Sequence, residues 1–140
     1  MVRLACRCMG LSSRKIDELV RGQGLRDLES LAATGAGAGC GSCRPELEEI
    51  LADAAGLPVA ESVRRANRAR NGAESFRRIE AALFGSIVVR LPPGTDLQLV
   101  SVDGLRVELH LGTHDAPEVR ALISERLCKL VCSELEVVFR

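Results

Sequence analysis

Four cysteines in two close pairs stand near the beginning of the 140-residue chain. One residue separates Cys6 from Cys8, and two residues separate Cys40 from Cys43. Thiolates are soft ligands that suit zinc, copper(I) and iron–sulfur clusters. Two tight pairs of thiols therefore predict a metal centre that takes one pair of ligands from each segment of the chain.

The second pair ends a glycine-rich run that spans residues 35–41. Glycine adopts positive φ and, without a Cβ, lets the backbone approach closely. We expect backbone N–H groups to reach the sulfurs here, and such hydrogen bonds help to set a reduction potential. The neighbouring Arg3, Arg7 and Arg44 are expected to offset the negative charge of a four-thiolate cluster and to favour its reduced form.

Three other interpretations of the cysteines compete with a [2Fe–2S] cluster. Structural zinc sites more often use C-x2-4-C knuckles on both sides, whereas the first pair here encloses one residue. Disulfides need an oxidising compartment, to which nothing in the sequence points. Buried cysteines without a ligand role are common singly but explain two tight pairs poorly. The spacing thus favours an iron–sulfur cluster and leaves zinc as the main rival.

These segments resemble the [2Fe–2S] domain of the bacterioferritin-associated ferredoxin family, which also forms the middle of NifU proteins. The resemblance rests on C-x-C at residues 6–8, Leu-x-x-Leu-Glu-Ser-Leu at 25–31 and AGCGSCRP at 38–45. It covers residues 4–55 and implies a small helical fold around a [2Fe–2S] cluster. The ligands that it implies are Cys6, Cys8, Cys40 and Cys43.

Helical periodicity supports that fold. The predicted helices cover residues 13–21, with Ser12 or Ser13 as N-cap, and residues 25–33, and a third starts at Pro45 and ends before Gly56. Glu46, Glu48 and Glu49 are expected to favour the N-terminus of the third helix. A unit of about 55 residues rarely folds without a staple, so we expect this half to be poorly folded without its cluster.

Residues 57–73 change character, because Arg64, Arg65, Arg68 and Arg70 fall among small residues. We interpret the segment as a solvated Arg-rich linker between a domain of residues 1–56 and one of residues 74–140. The alternative is a basic strip that docks an acidic partner.

The second half is predicted to have the order α-β-β-α-β, so the whole chain falls in the α+β class. Asn71-x-x-Glu74 resembles a capping signal for the first helix, and residues 87–91 are ambiguous between helix and strand. Asp103-Gly104 is a strong hairpin signal. The other predicted elements are strands at 97–102 and 105–111, a helix at 116–133 capped by Asp115, and a strand at 136–139.

This half resembles the C-terminal domain of NifU over residues 76–139. The resemblance rests on Gly-x-Asp-x-x-Leu-Val-x-Val-Asp-Gly at residues 94–104 and on the strand at 107–109. Cluster carriers of that family place Cys-x-x-Cys after the second strand, whereas residues 112–118 here contain no cysteine. We therefore expect no cluster on this half. A complete NifU also begins with a scaffold domain bearing its own cysteines, so two of its three cluster-handling sites are expected to be absent.

Other candidate ligands have simpler explanations. Cys128 and Cys132 lie on one face of the predicted helix, where packing is favoured over a metal pair. His114 and Asp115 are weak metal candidates, since a loop histidine beside a helix cap explains them equally well. No serine–histidine–aspartate set, paired catalytic carboxylates or phosphate loop is present in the sequence, so we expect no enzyme.

We expect an accessory factor in iron–sulfur cluster assembly, with nitrogen fixation as its context, that supplies electrons and docks protein partners. The alternatives are a ferredoxin-like donor to a redox enzyme or iron-storage protein, and a cluster-based sensor. A net charge of zero and only three aromatic residues argue against nucleic acid and membrane surfaces. Without an export signal or membrane span, a cytoplasmic protein is expected, and a homodimer is compatible with the sequence.

Overall fold

The computed structural model of the protein describes residues 2–36 and 41–140. Helices and two small sheets occur in this part of the chain, which confirms the predicted α+β class. The strands are β1 (Leu4–Cys6), β2 (Leu11–Ser12), β3 (Leu97–Asp103), β4 (Arg106–Leu111) and β5 (Glu136–Phe139). The α-helices are α1 (Ser13–Gln23), α2 (Leu28–Ala32), α3 (Arg44–Ala54), α4 (Glu61–Ala82) and α5 (Pro117–Leu130).

The first half contains the three predicted helices and an antiparallel hairpin, β1–β2, that we did not predict. Helix α1 begins as expected, because the Ser12 hydroxyl accepts a hydrogen bond from the Lys15 N–H (3.1 Å). Helix α2 is shorter than predicted. The Asp27 carboxylate accepts a hydrogen bond from the Ser30 N–H (2.7 Å) and so starts the helix at residue 28.

Helix α4 replaces the solvated linker that we predicted for residues 57–73. It runs without a break from Glu61 to Ala82. Its buried stripe consists of residues four apart in sequence: Asn67, Asn71, Ser75 and Ile79. The linker prediction was wrong because most of this stripe is polar, so the sequence shows no apolar periodicity there. The division into three domains at residues 56 and 73 stays a prediction.

The capping signals predicted for two helices are also wrong. Asn71 lies inside α4, where its side-chain amide donates a hydrogen bond to the Leu4 carbonyl (2.6 Å). The N-cap of α5 is Ala116, and the Asp115 carboxylate instead forms an ion pair with Arg120 (2.6 Å). Both side chains thus bond to groups other than the backbone N–H groups of a first helical turn.

The second half follows the predicted order α-β-β-α-β. Strands β3 and β4 form the predicted hairpin around Gly104, whose φ is 61°, and β5 pairs with β4 in parallel. The ambiguous residues after α4 are helical, with a π-helical turn at Leu83–Ile87 and a 3₁₀ turn at Val88–Arg90. One apolar core joins α4, α5 and the inner face of this sheet, and Leu4 of β1 belongs to it as well.

A second apolar core lies in the first half, where Ile16, Leu31 and Leu47 are fully buried beside two of the cysteines. The two cores meet along β1, because Leu4 packs into one and Cys6 into the other.

Within residues 2–36 and 41–140, none of the helices combines the length and the hydrophobicity of a membrane span.

Candidate metal centre

Three of the four predicted ligands lie in the described part of the chain. Cys6 ends β1, Cys8 lies in the turn of the β1–β2 hairpin, and Cys43 immediately precedes α3. Cys6 and Cys43 are buried, whereas Cys8 is partly exposed. Cys40 lies outside the described residues, as do Gly37 and Gly39 of the glycine run.

The fold brings Cys6 and Cys43 together although 36 residues intervene in the sequence. Their thiols are hydrogen-bonded to each other, and that bond together with burial raises the pKa of Cys43 well above its ordinary value. The backbone N–H of Arg7 donates a hydrogen bond to the Cys43 sulfur (3.2 Å). A hydrogen bond from a backbone N–H to a sulfur is the contact that we expected around a cluster. Its donor lies in the first cysteine segment.

The place of Cys43 at the start of α3 acts against this rise in pKa and stabilises the thiolate. Cys43 is the N-cap residue of α3, so its sulfur lies beside the positive end of the helix dipole. The turn that precedes it depends on glycine, since Gly41 has a φ of 79° and accepts a hydrogen bond from the Arg44 N–H (3.2 Å). Gly35 likewise has a positive φ of 103°. These two glycines confirm the conformational role that we predicted for the described part of the run.

Arg7 is almost completely buried, with 3% of its surface exposed. Its guanidinium donates to Glu46 (2.7 Å) and to the Ser42 carbonyl (3.4 Å), and it also pairs with Glu74 of α4. Burial acts to lower the pKa of Arg7, but Glu46, Cys43 and Glu74 outweigh it and raise that pKa. Burial also raises the pKa of Glu46, despite the attraction of Arg7.

The three arginines that we expected to offset cluster charge therefore have different surroundings. Arg7 lies next to the Cys43 sulfur, but two carboxylates share its charge. Arg3 pairs with Glu49 (3.3 Å), and Arg44 is exposed. Their effect on a reduction potential stays a prediction, with Arg7 the best placed of the three.

Buried polar groups that we did not predict from the sequence support the cysteine segments. Glu49 accepts hydrogen bonds from Arg3, from Arg64 (3.2 Å) and from the Asn67 amide (2.8 Å). We had assigned Glu46 and Glu49 only a favourable interaction with the helix dipole. Their i, i+3 spacing, which places both on one face of α3, was the available signal.

The second half contacts the ligand-bearing hairpin directly. A Cβ on Gly10, which has a φ of 67°, would lie 2.3 Å from the Val131 carbonyl oxygen at the end of α5. The Ser12 hydroxyl donates a hydrogen bond to Glu134 (2.9 Å), and Arg14 pairs with the same carboxylate (2.6 Å). The hairpin that presents Cys8 is thus packed against the end of α5.

The surroundings of Cys128, Cys132 and His114 agree with the packing and loop positions that we favoured from the sequence. Cys132 is buried in the apolar core of the second half, and the Cys128 thiol donates to the Leu135 carbonyl (3.6 Å). Burial raises the pKa of both thiols. His114 lies in a loop with a φ of 65°, beside the Thr95 hydroxyl (3.3 Å). Among the described residues, no group of three or more histidine, cysteine or acidic side chains is arranged to hold a metal ion.

The cysteines nevertheless fit a [2Fe–2S] cluster in their chemistry. Two soft sulfur donors are already in contact, are buried, and lie at a helix N-terminus with a backbone N–H directed at one of them. Because Cys40 lies outside the described residues, the assignment of all four cysteines as ligands stays a prediction.

Comparison with known proteins agrees with this chemistry. Residues 4–53 match the family model described as the BFD-like [2Fe-2S] binding domain. The chain is also 29% identical over 118 residues to the "Nitrogen fixation protein NifU" of Leptolyngbya boryana, an alignment that covers 77% of this chain. The chain spans 58% of the length of that relative. No solved structure matches the chain.

These matches confirm two predictions made from the cysteine motif. The protein is NifU-like, and its cofactor is a [2Fe–2S] cluster. It is therefore an iron–sulfur protein, and the family match falls on the half that carries the paired cysteines.

Proposed function

We propose that the protein is an accessory factor in iron–sulfur cluster assembly that holds one [2Fe–2S] cluster and supplies single electrons. The observation that carries this proposal is the buried contact between Cys6 and Cys43 at the start of α3. Both residues lie within the segment that matches the [2Fe-2S] binding domain. Cys6, Cys8, Cys40 and Cys43 would hold the cluster, which supplies reversible one-electron chemistry when bound.

The surrounding residues would keep the ligands in place and dry. The Arg7 N–H stabilises negative charge on the Cys43 sulfur, and the Arg7 guanidinium connects α3 to α4 through Glu46 and Glu74. Burial of Cys6 and Cys43 excludes water from one side of the site. Hydrogen bonds to the sulfurs and limited solvent exposure both tune the potential of a cluster.

The second half would serve as a docking module in this function. Its loop between β4 and α5 contains no cysteine, so it offers no thiol ligands of its own there. The similarity to a protein named for nitrogen fixation supports a role in the maturation of nitrogenase or a related enzyme. We assign the protein no catalysis of its own, and the proposal places it in the cytoplasm with a protein partner.

A ferredoxin-like donor to a redox enzyme or an iron-storage protein is the second candidate. The observation that favours it is the deep burial of two thiols, with 1% of Cys6 and 2% of Cys43 exposed. Buried thiolates favour retention of a cluster through many turnovers, whereas an assembly carrier must release its cluster to an acceptor.

Anaerobic purification tests the shared part of both candidates. About two irons and two sulfides per chain, with an EPR signal only after reduction, are expected for one [2Fe–2S] cluster. Cys43→Ser and Cys40→Ser should abolish the visible absorption, while Cys128→Ser, at a cysteine that packs against the core of the second half, should retain it. A colourless protein that contains zinc would contradict both candidates.

The fate of the cluster separates the two candidates. The holoprotein is mixed with an apo-acceptor that needs a [2Fe–2S] or [4Fe–4S] cluster, and the absorption of both proteins is followed after separation. If this protein passes its cluster to the acceptor, or accelerates cluster formation on a scaffold in the presence of a reductant, the assembly role is supported. A cluster that is kept without any effect on assembly would favour the ferredoxin-like role.

A further inference from the structure

A groove opens beside the partly exposed Cys8, on the side where α4 faces the first cysteine segment. Its volume is about 270 Å³. The residues that line it come from both cysteine segments and from α4: Arg7, Cys8, Ser42, Glu74, Arg77 and Arg78. A partner that entered this groove would thus approach the metal centre at its most accessible described cysteine.

The lining of the groove has an excess of positive charge, because it contains three arginines and one glutamate. Arg7 is buried against Glu46 and Glu74, so its charge is already balanced. Arg77 and Arg78 are exposed, and neither takes part in an ion pair within residues 2–36 and 41–140. Their charges are therefore directed to solvent at the rim of the groove.

Other arginines of α4 are engaged within the protein. Arg64 pairs with Asp53 (2.6 Å) and Glu49 (3.2 Å), and Arg68 pairs with Glu61 (2.9 Å). The basic strip that the sequence suggested among residues 57–73 is thus partly neutralised. The arginines that border the groove beside Cys8 are Arg77 and Arg78. They lie at least one helical turn beyond residue 73 on α4.

We propose that Arg77 and Arg78 are the docking surface for an acidic protein, whose carboxylates pair with them and so place its redox centre or acceptor site over Cys8. This inference rests on the proposed function, because it assumes that the cysteines hold a redox-active cluster. Complementary charge speeds and orients association. A nucleic acid is a poorer occupant, since the protein has no net charge and three aromatic residues.

Cytochrome c provides a matched pair of probes, because succinylation of its lysines reverses its charge without replacing the haem. One electron leaves the reduced holoprotein and converts ferric haem to ferrous haem, and no proton or bond is exchanged. At low ionic strength we expect the succinylated form to bind more tightly and to be reduced at least about tenfold faster than the native form. Added salt should remove most of this difference.

The double variant R77E/R78E should reverse the preference for the acidic probe, in calorimetric binding as well as in rate. R65E/R90E is the matched control, because Arg65 and Arg90 are exposed, lie outside the groove and give the same change in net charge. The proposal would be overturned by an equal effect in the control, or by preference of the unmodified protein for native cytochrome c. It would also be overturned if duplex DNA, but not the acidic probe, bound through these arginines.

The reduction potential of each variant is measured in parallel. A large shift in R77E/R78E with an unchanged preference between the probes would assign the two arginines to compensation of cluster charge and overturn the docking proposal. If the purified protein has no cluster, the proposed function fails. Calorimetric binding of the probes still decides whether the groove docks an acidic protein.

Discussion

The two halves of the protein bury different kinds of side chain. Every buried polar or charged side chain of the described chain falls between residues 7 and 75, on the β1–β2 hairpin, on α3 or on the face of α4 that packs against them. These side chains are Arg7, Ser12, Glu46, Glu49, Asn67, Asn71 and Ser75. Residues 76–140 contain none, and their core consists of aliphatic side chains and Cys132.

This difference indicates that the first half, and not the second, is built around a charged group. Buried ion pairs seldom repay the cost of removing both charges from water, so they are a poor means of stabilising an ordinary core. Around the cysteines they fix the positions of a hairpin, of α3 and of α4 relative to one another. We therefore expect the first half to depend on its cofactor and its charge network, and the second half on apolar packing alone.

Removal of the cluster should have the largest effect and tests this contrast directly. After chelation of the iron under reducing conditions, we expect amide protection in residues 2–36 and 41–56 to fall by at least about a hundredfold. Amides of β3, β4 and α5 should keep their protection, because the core of these elements contains no predicted cluster ligand. Hydrogen exchange followed by mass spectrometry measures both. Equal loss of protection in the two halves would contradict this difference and show that the protein unfolds as a single cooperative unit.

Replacement of Arg7 tests the charge network. Arg7→Met leaves Glu46 buried without its partner, and loss of one member of a buried pair costs about 3–5 kcal/mol. The urea concentration at which the holoprotein loses visible absorption should fall accordingly. Arg44→Met, at an exposed position, should change stability by less than about 0.5 kcal/mol. Adding Glu46→Gln to Arg7→Met should recover part of the loss, and no recovery would contradict this account.

Gly10 tests the contact between the ligand hairpin and α5. Gly10→Ala should cost about 1–2 kcal/mol for its positive φ and about 1–3 kcal/mol more for the clash with Val131. Gly24→Ala is the matched control, because its φ of 65° is similar but its Cβ would meet nothing within 4 Å. Urea denaturation compares the two variants. Equal losses of stability in the two variants would show that the hairpin shifts to relieve the clash and that its contact with Val131 contributes little.

Glu134, which joins the second half to β2 and α1, should have the smallest effect. Hydrogen bonds from Ser12 and Arg14 hold its pKa below the ordinary value of 4.5. This stabilisation is therefore complete above about pH 4.5 and is lost as the pH falls through the lower folded-state pKa. Since 60% of the Arg14 side chain is exposed, Glu134→Gln should cost less than about 1 kcal/mol at pH 7.

The difference in urea midpoint between the wild type and Glu134→Gln should shrink as the pH is lowered to 3. The exposed Glu125→Gln is the control and should show no such trend. A difference that stays constant from pH 7 to pH 3 would show that the carboxylate charge of Glu134 does not connect the two halves.

Local patterns in the sequence were sufficient for much of the fold. The strand after Gly104 alternates apolar and polar residues, and the strand before it does so except at Val100. Helices α1 and α3 carry helical apolar spacing and recognisable first turns. The part of helix α4 before Asn71 was missed because the residues that this helix buries toward the first half are asparagine and serine. Such a helix is stabilised by partners distant in the sequence, such as Leu4 for Asn71, and no local pattern reports them.

The cysteine motif is visible in the amino-acid sequence alone. It predicts the class of cofactor and the half of the chain that carries it, because ligand chemistry depends on residue type and short spacing. The packed fold was needed to establish that Arg7 is buried between Glu46 and Glu74 and that the turn at Gly10 contacts the end of α5. It also decided that Arg77 and Arg78 border the groove at Cys8. These relations join residues tens of positions apart, and they follow from how helices and hairpins pack.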